Sequence, residues 1–362
     1  MLVFFDKRPN HLPAQSLSLP NMNRNQIVYT VLGFIVAVGI LYFLRTSYNF
    51  TETEKAAVEY HIKNPDEVTR VYLFDKYNKT IKLEKQEDGS WLVNDSNEAD
   101  AKMVEILVYK TLPKIRKKGL VSNKQKDMIL KNMSITGITT EVYTDGEEPE
   151  QRYVMGKATG DLKGSYIWKE GSDIAIVHIP GFDGFVNSRY TLDLDEWLSP
   201  TLFRLEKGQI AEVEVDHTAD EKGSFKIVQT DTSLVITSME GQPTNINAAA
   251  LKSYMTNFTM LNMEGFVGSN YDALYDSLTQ STPLTSLKVK DTKGMLHTLD
   301  VHRRPASDRT HGLYDKDGNK LAHDPSRYYG ISNKYNRVVL IQDYTFGKVL
   351  VRYEDFLLPN RS

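Results

Sequence analysis

One uncharged apolar run, Ile27 to Leu44 (IVYTVLGFIVAVGILYFL), limits what this chain can become more than any other stretch. At ~1.5 Å per residue a helix of that length reaches roughly 27 Å, about the hydrocarbon thickness of a bilayer. A cleavable signal has a shorter apolar core, followed by a small-x-small cleavage site. Here the run continues into Tyr42-Phe43-Leu44-Arg45-Thr46 with no such site, and the Cys a lipoprotein needs is missing from the whole chain. A buried core helix fits poorly, because so long a helix would be apolar on every face. Tyr29 and Tyr42 stand near its ends, where aromatic rings favour the headgroup level. The run therefore reads as an uncleaved transmembrane helix over 27–44. Lys7, Arg8 and Arg24 precede it and Glu52 and Glu54 follow, which keeps the N-terminus inside, Arg45 counting the other way. Inside its helix, Gly33 and Ala37 have the small-xxx-small spacing that lets two membrane helices approach.

The run divides the chain. Residues 1–26 lack any period and read as a disordered cytoplasmic tail, and Met22 suits the start of an anchor. Residues 45–66 read as a charged stalk. The remainder, on the far side of an inner membrane, has ordinary globular composition, 40% hydrophobic and 25% charged. Net charge is −3, and −5 without residues 1–26, which carry three bases and one acid. That balance provides no electrostatic footprint for nucleic acid. Without Cys there are no disulfides, thiol nucleophiles or Cys–metal sites.

Beyond the stalk the same order of elements occurs twice, at 67–200 and again at 208–359. In the first copy, Val68–Phe74 is rich in β-branched and aromatic residues, Thr80–Glu84 alternates, Asp88-Gly89 turns and Trp91–Val93 returns. Asp100 caps a helix with apolar Met103, Ile106, Leu107 and Leu112. Gly119-Leu120-Val121, a short helix around Met128, and strands from Gly137, Arg152, Tyr166 and Ile174 follow. In the second copy Ile210–Val215, Phe225–Ile227 and Leu234–Ile236 match the opening strands, and Asn247 takes the place of Asp100. Gly265-Phe266-Val267 repeats Gly119-Leu120-Val121, and Trp197-Leu198 rhymes with Phe356-Leu357. The expected fold class is α+β: a transmembrane helix, then two tandem repeats with mainly antiparallel sheets. If the copies correspond, Trp91 and Val235, Leu107 and Tyr254, and Leu120 and Phe266 face equivalent cores. Pro200–Arg204 joins the copies as a short helix.

Chemistry is harder to find. The His residues (11, 61, 178, 217, 297, 302, 311 and 323) show no zinc-hydrolase spacing. His302 through Asp324 is dense in His, Arg and Asp, yet polar loops look the same, and Asp315–Asn319 reads as a turn rather than a calcium loop. Gly156-Lys157 lacks the upstream Gly of a phosphate loop, and no nucleophile elbow is present. The aromatic run from Tyr328 to Phe356 alternates with Val338, Leu340, Val349 and Val351, as core strands do. No catalytic, cofactor or metal residue emerges. The interaction candidates are Gly33 and Ala37 in the anchor, and Phe182, Asp183 and Phe185 in a Pro-Gly-Phe-Asp-Gly-Phe loop, whose rings either project or fold back onto the core.

Trp91-Leu92-Val93, the Gly119-to-Met128 helical turn, Gly137-Ile138, Val177–Gly184, Arg327–Gly330 and Val339–Gln342 resemble the bacterial "domain of unknown function 4340" family over residues 60–358. The resemblance implies an N-terminal anchor and an envelope-facing region, and carries no catalytic residues. It also implies an accessory role beside an ABC-type, gliding-like transporter. The expected function is a membrane-anchored extracytoplasmic scaffold or accessory subunit, with the bilayer and transporter subunits as partners. The alternative is a cell-wall or surface-glycan binding protein or hydrolase.

Overall fold

Alternating apolar and polar residues place strands in two blocks, and each block closes into one antiparallel sheet. The computed structural model describes residues 34–39 and 59–358, apart from 239–240, 242–244, 269–270, 309 and 311. The chain separates into two units, Met1–Glu59 and Tyr60–Ser362.

Of the apolar run only residues 34–39 are described. They are helical and exposed, Ala37 among them. Gly33 and the rest of the run lie outside the described residues, among which no helix is long and apolar enough to cross a membrane.

The second unit begins at Tyr60, inside the stretch read as a stalk, and both Tyr60 and Ile62 are buried. Its first sheet contains β1 (Arg70–Phe74), β2 (Thr80–Lys85), β3 (Trp91–Val93), β4 (Asn97–Glu98), β5 (Arg116–Leu120), β6 (Ile138–Tyr143), β7 (Gln151–Ala158), β8 (Ser165–Trp168) and β9 (Ala175–His178). A short strand, β10 (Thr201–Phe203), pairs with β14 (Leu261–Asn262). The second sheet contains β11 (Ile210–His217), β12 (Phe225–Gln229), β13 (Leu234–Ser238), β15 (Gly265–Phe266), β16 (Thr285–Asp291), β17 (Leu296–Pro305), β18 (His323–Ser332) and β19 (Val338–Gln342). The strand orders are β4-β3-β2-β1-β6-β7-β8-β9-β5 and β13-β12-β11-β16-β17-β18-β19-β15. Apart from β4 they coincide position for position.

Registers coincide too. Val71 faces Leu83 and Val142, as Val213 faces Ile227 and Val289, and all six side chains are fully buried. At the far edge Leu120 faces Ala175 as Phe266 faces Val339. Two expectations about side chains fail. Val235 opposes Val228 as Leu92 opposes Glu84, so the counterpart of Trp91 is Leu234, and Val235 points to the other face. A strand has a side-chain period of two, and a one-residue shift reverses the face. Leu120 shares its register with Phe266, and both lie on edge strands, but Leu120 is 53% exposed where Phe266 is half-buried against Tyr335 and Arg337.

Between third and fifth strands each repeat inserts a helix. α1 (Ala101–Val104) continues as a π-helical turn over Glu105–Tyr109. Asp100 caps it by accepting from the Lys102 N–H (2.9 Å). The long α2 (Asn123–Thr136) follows β5, and the one-turn α3 (Leu194–Trp197) closes the repeat. In the second copy α4 (Ala248–Met255) is capped by Asn247, which accepts from Ala249 and Ala250 (both 3.1 Å), and α5 (Tyr271–Thr279) is followed by the short α6 (Asp343–Phe346). Leu107 and Tyr254 are both buried beneath these inserts, as expected. The closing segments clasp the inserts alike: the Asp100 N–H donates to the Trp197 carbonyl (2.7 Å), and the Asn247 N–H to the Phe356 carbonyl (2.8 Å).

Residues 201–203 join the copies as a strand, where a short helix was expected; Thr201, Leu202 and Phe203 are all buried. Consecutive buried residues, two of them apolar, suit a short strand covered on both faces. One buried cluster runs through both sheets, from Tyr60 to Phe356. A smaller one joins Ile129 and Met133 of α2 to Ile174 on the opposite face of the first sheet. Gly156 permits that packing, since a Cβ there would lie 2.9 Å from Met133 Cγ.

Candidate functional site

The π-helical turn after α1 shapes one wall of an open groove. Its wider winding closes a bond from the Lys110 N–H to the Glu105 carbonyl (2.9 Å) and brings the Lys110 ammonium to the Glu105 carboxylate (2.9 Å). Val104, Leu107 and Val108 point into the core. Met103 and Ile106 occupy the flank, half-buried, and become one wall of a groove of about 500 Å³.

The opposite wall is the loop after β9. Pro180 and Gly181 are the central residues of a turn in which the Phe182 N–H donates to the Ile179 carbonyl (3.0 Å). Gly181 has φ +80°, which the type II turn demands of its third residue. The turn leaves Phe182 42% exposed at the groove, Asp183 in solvent and Phe185 half-buried. Of the two fates open to these rings, Phe182 stays out and Phe185 partly folds back. Ile179 is buried at the groove floor, and Glu196 of α3 and Ser188 stand on the rim.

Arg189 gives the groove its charge. Its guanidinium lies 4.7 Å from the centre of the Phe182 ring, and Nη1 donates to Thr111 Oγ1 (2.8 Å). Thr111 in turn donates to the Ile106 carbonyl (2.6 Å), which locks its hydroxyl. Burial pulls the Arg189 pKa below its ordinary value, with Tyr190 opposing, and the group stays charged. Among the described residues neither Arg189 nor Lys114, also at the groove, takes part in an ion pair. An apolar floor with cations beside it can hold an amphipathic anion by packing and charge together.

The other candidates resolve as structure. His178 is half-buried, and its pKa is lowered by that burial and by Lys118. In the His302–Asp324 stretch, Arg304 pairs with the fully buried Asp324 (2.6 Å). Asp315 accepts from the Asp317 and Asn319 N–H groups (2.9 and 2.8 Å), as a turn does. No cluster of three or more His, Asp or Glu that could hold a metal occurs among the described residues. In the aromatic run Tyr335, Phe346 and Phe356 are core, but Tyr344 is 94% exposed. Sequence reading singled out Phe182 and missed Arg189, Lys110 and Lys114. The groove joins a helix to a distant loop, and no local pattern announces it.

No curated protein and no solved structure matches the chain. The family model described as "Domain of unknown function (DUF4340)" matches residues 91–283, from β3 to the residues before β16. That span is narrower than the 60–358 of the sequence resemblance, yet it covers more than half of the chain and includes the groove. The chain belongs to the DUF4340 family.

Proposed function

We propose that this protein is a non-enzymatic adaptor of the cell envelope. The apolar run Ile27–Leu44 anchors it in the inner membrane with the N-terminus inside, and the unit from Tyr60 onward works on the far side as a scaffold or accessory subunit. Its partner is a membrane protein, such as a subunit of an ABC-type transporter. The observation that carries the reading is the open groove, with its apolar floor and the cations Lys114 and Arg189, which have no ion-pair partner among the described residues. The two matching sheets fit a duplication in which one copy keeps such a surface and the other is closed. The glycan alternative is the weaker reading: the groove is lined by one carboxylate, Glu196, and in a second groove of about 470 Å³, lined by Glu214, Asp216 and Glu221, Lys288 holds the Glu214 carboxyl below its usual range rather than above it.

Purification of the tagged full-length protein in mild detergent, with mass spectrometry of what accompanies it, tests the adaptor role. A stoichiometric membrane partner is expected, and its absence overturns the reading. A reporter active only outside the cytoplasm should work when fused after Ser362 and fail when fused before Ile27. Replacing Ile35 with Arg should disfavour insertion by about 2.5–3.5 kcal/mol and release the protein from membranes.

A further inference from the structure

The two repeats differ where the groove lies. His178 and Gln342 end equivalent strands, β9 and β19, so Phe182 and Phe346 stand at the same offset beyond them. In the second repeat Asp343–Phe346 winds into α6 and Phe346 is fully buried. The chain after it is tied to the insert: Tyr254 Oη donates to the Val349 carbonyl (2.9 Å) and Asn257 Nδ2 to the Lys348 carbonyl (3.1 Å). In the first repeat the Pro180-Gly181 turn carries the chain away. Lys110, the counterpart of Asn257, pairs with Glu105 instead, and the groove opens between insert and loop.

We infer that the groove receives a segment of a partner protein that presents an aromatic side chain beside a carboxylate. The partner's ring packs on Met103, Ile106 and Ile179, the apolar side chains that line the groove. Its carboxylate pairs with Arg189, with Lys114 alongside. Lys110 is partly neutralised by Glu105, and Glu196 on the rim repels a second acid nearby, so one carboxylate next to the ring is the best match. Arg189 is already partly desolvated and held by Thr111 and Phe182, so pairing immobilises little more. The inference rests on the adaptor reading and names the chemistry of its partner.

The test uses the full-length protein in mild detergent and a fluorescein-labelled peptide, GSGDFGSG, read by fluorescence anisotropy. Saturable binding is expected, weakened at least about tenfold by Arg189→Gln, because losing one member of a desolvated charge pair weakens binding that far or further. Ile106→Glu should abolish it, and replacing the peptide's Phe with Ala should weaken it comparably. If Ile106→Glu lowers the melting temperature, Lys114→Glu on the exposed side of the groove takes its place, with the same expected loss. Absence of saturable binding at about millimolar peptide, or equal binding by Arg189→Gln, overturns the proposal. So does Arg189-dependent binding of phosphatidylglycerol nanodiscs without peptide binding, which assigns the groove to lipid. A co-purifying partner that survives the groove variants removes this inference and leaves the adaptor role intact. Peptide binding without any co-purifying partner does the reverse.

Discussion

Phe182 and Phe346 show how little a residue's identity says about its worth. Both are Phe, four residues beyond equivalent strands, but one is 42% exposed and the other fully buried. Truncating Phe346 to Ala removes a packed ring and leaves a cavity, so urea unfolding should show a loss of about 3–5 kcal/mol. Phe182→Ala should stay within about 1 kcal/mol, in the range of surface substitutions. Leu120→Ala belongs with Phe182, since its side chain is already mostly in solvent and has little burial to lose, whereas Leu83→Ala in the core should cost about 2–5 kcal/mol. Equal losses at Phe182 and Phe346 would mean that the first repeat is closed like the second.

Among the elements, the insert helices are the most local in origin. Asp100 and Asn247 each satisfy N–H groups that the helix cannot, and each lies where the closing segment of its repeat clasps the backbone. Asp100→Ala and Asn247→Ala should each destabilise the protein by about 1 kcal/mol in chemical denaturation. The Pro180-Gly181 turn is equally local. Gly181→Ala places a Cβ on a residue with φ +80°, at a cost of about 1–2 kcal/mol to that conformation. The loop should shift, and peptide binding at the groove should fall more than the melting temperature does.

Over the whole molecule the two repeats share one core and a polar seam. Glu98 of the first repeat meets Lys334 (3.0 Å) and Arg204 (2.7 Å), Tyr335 Oη donates to the Ser199 carbonyl (2.6 Å), and Arg337 grips Asp195. Burial works to raise the Glu98 pKa, but Lys334 and Arg204 outweigh it and the pKa lies below the usual 4.5. A carboxylate lowered by folding adds stability above its unfolded pKa and loses it as pH falls through the folded value. The melting temperature should therefore decline as pH drops below about 4.5, and less steeply in Glu98→Gln over the same window. Glu214, Glu264 and Asp324 are lowered as well and contribute to the same decline, so the variant blunts it without removing it. Calorimetry should show one transition for the unit from Tyr60 onward, because the buried cluster is continuous; two separable transitions would mean independent repeats.

The sequence by itself determined what depends on neighbours along the chain. Strand alternation, the turn at Gly89, the caps at Asp100 and Asn247, and the repeated order of elements were all legible, because a period, a positive φ or a cap involves only a few consecutive residues. Tertiary structure decided what depends on distant neighbours. Trp91 answers to Leu234 rather than Val235 because cross-strand register sets the parity of a face. Leu120 is exposed where Phe266 is half-buried because Phe266 meets Tyr335 and Arg337, residues some seventy positions away in the chain. The linker is a strand because β14 lies ready to pair with it. The groove exists because a turn at Pro180-Gly181 directs the chain away from a helix formed some eighty residues earlier. Burial and charge at such a place are sums over elements that meet only after folding, and no window of the sequence contains them.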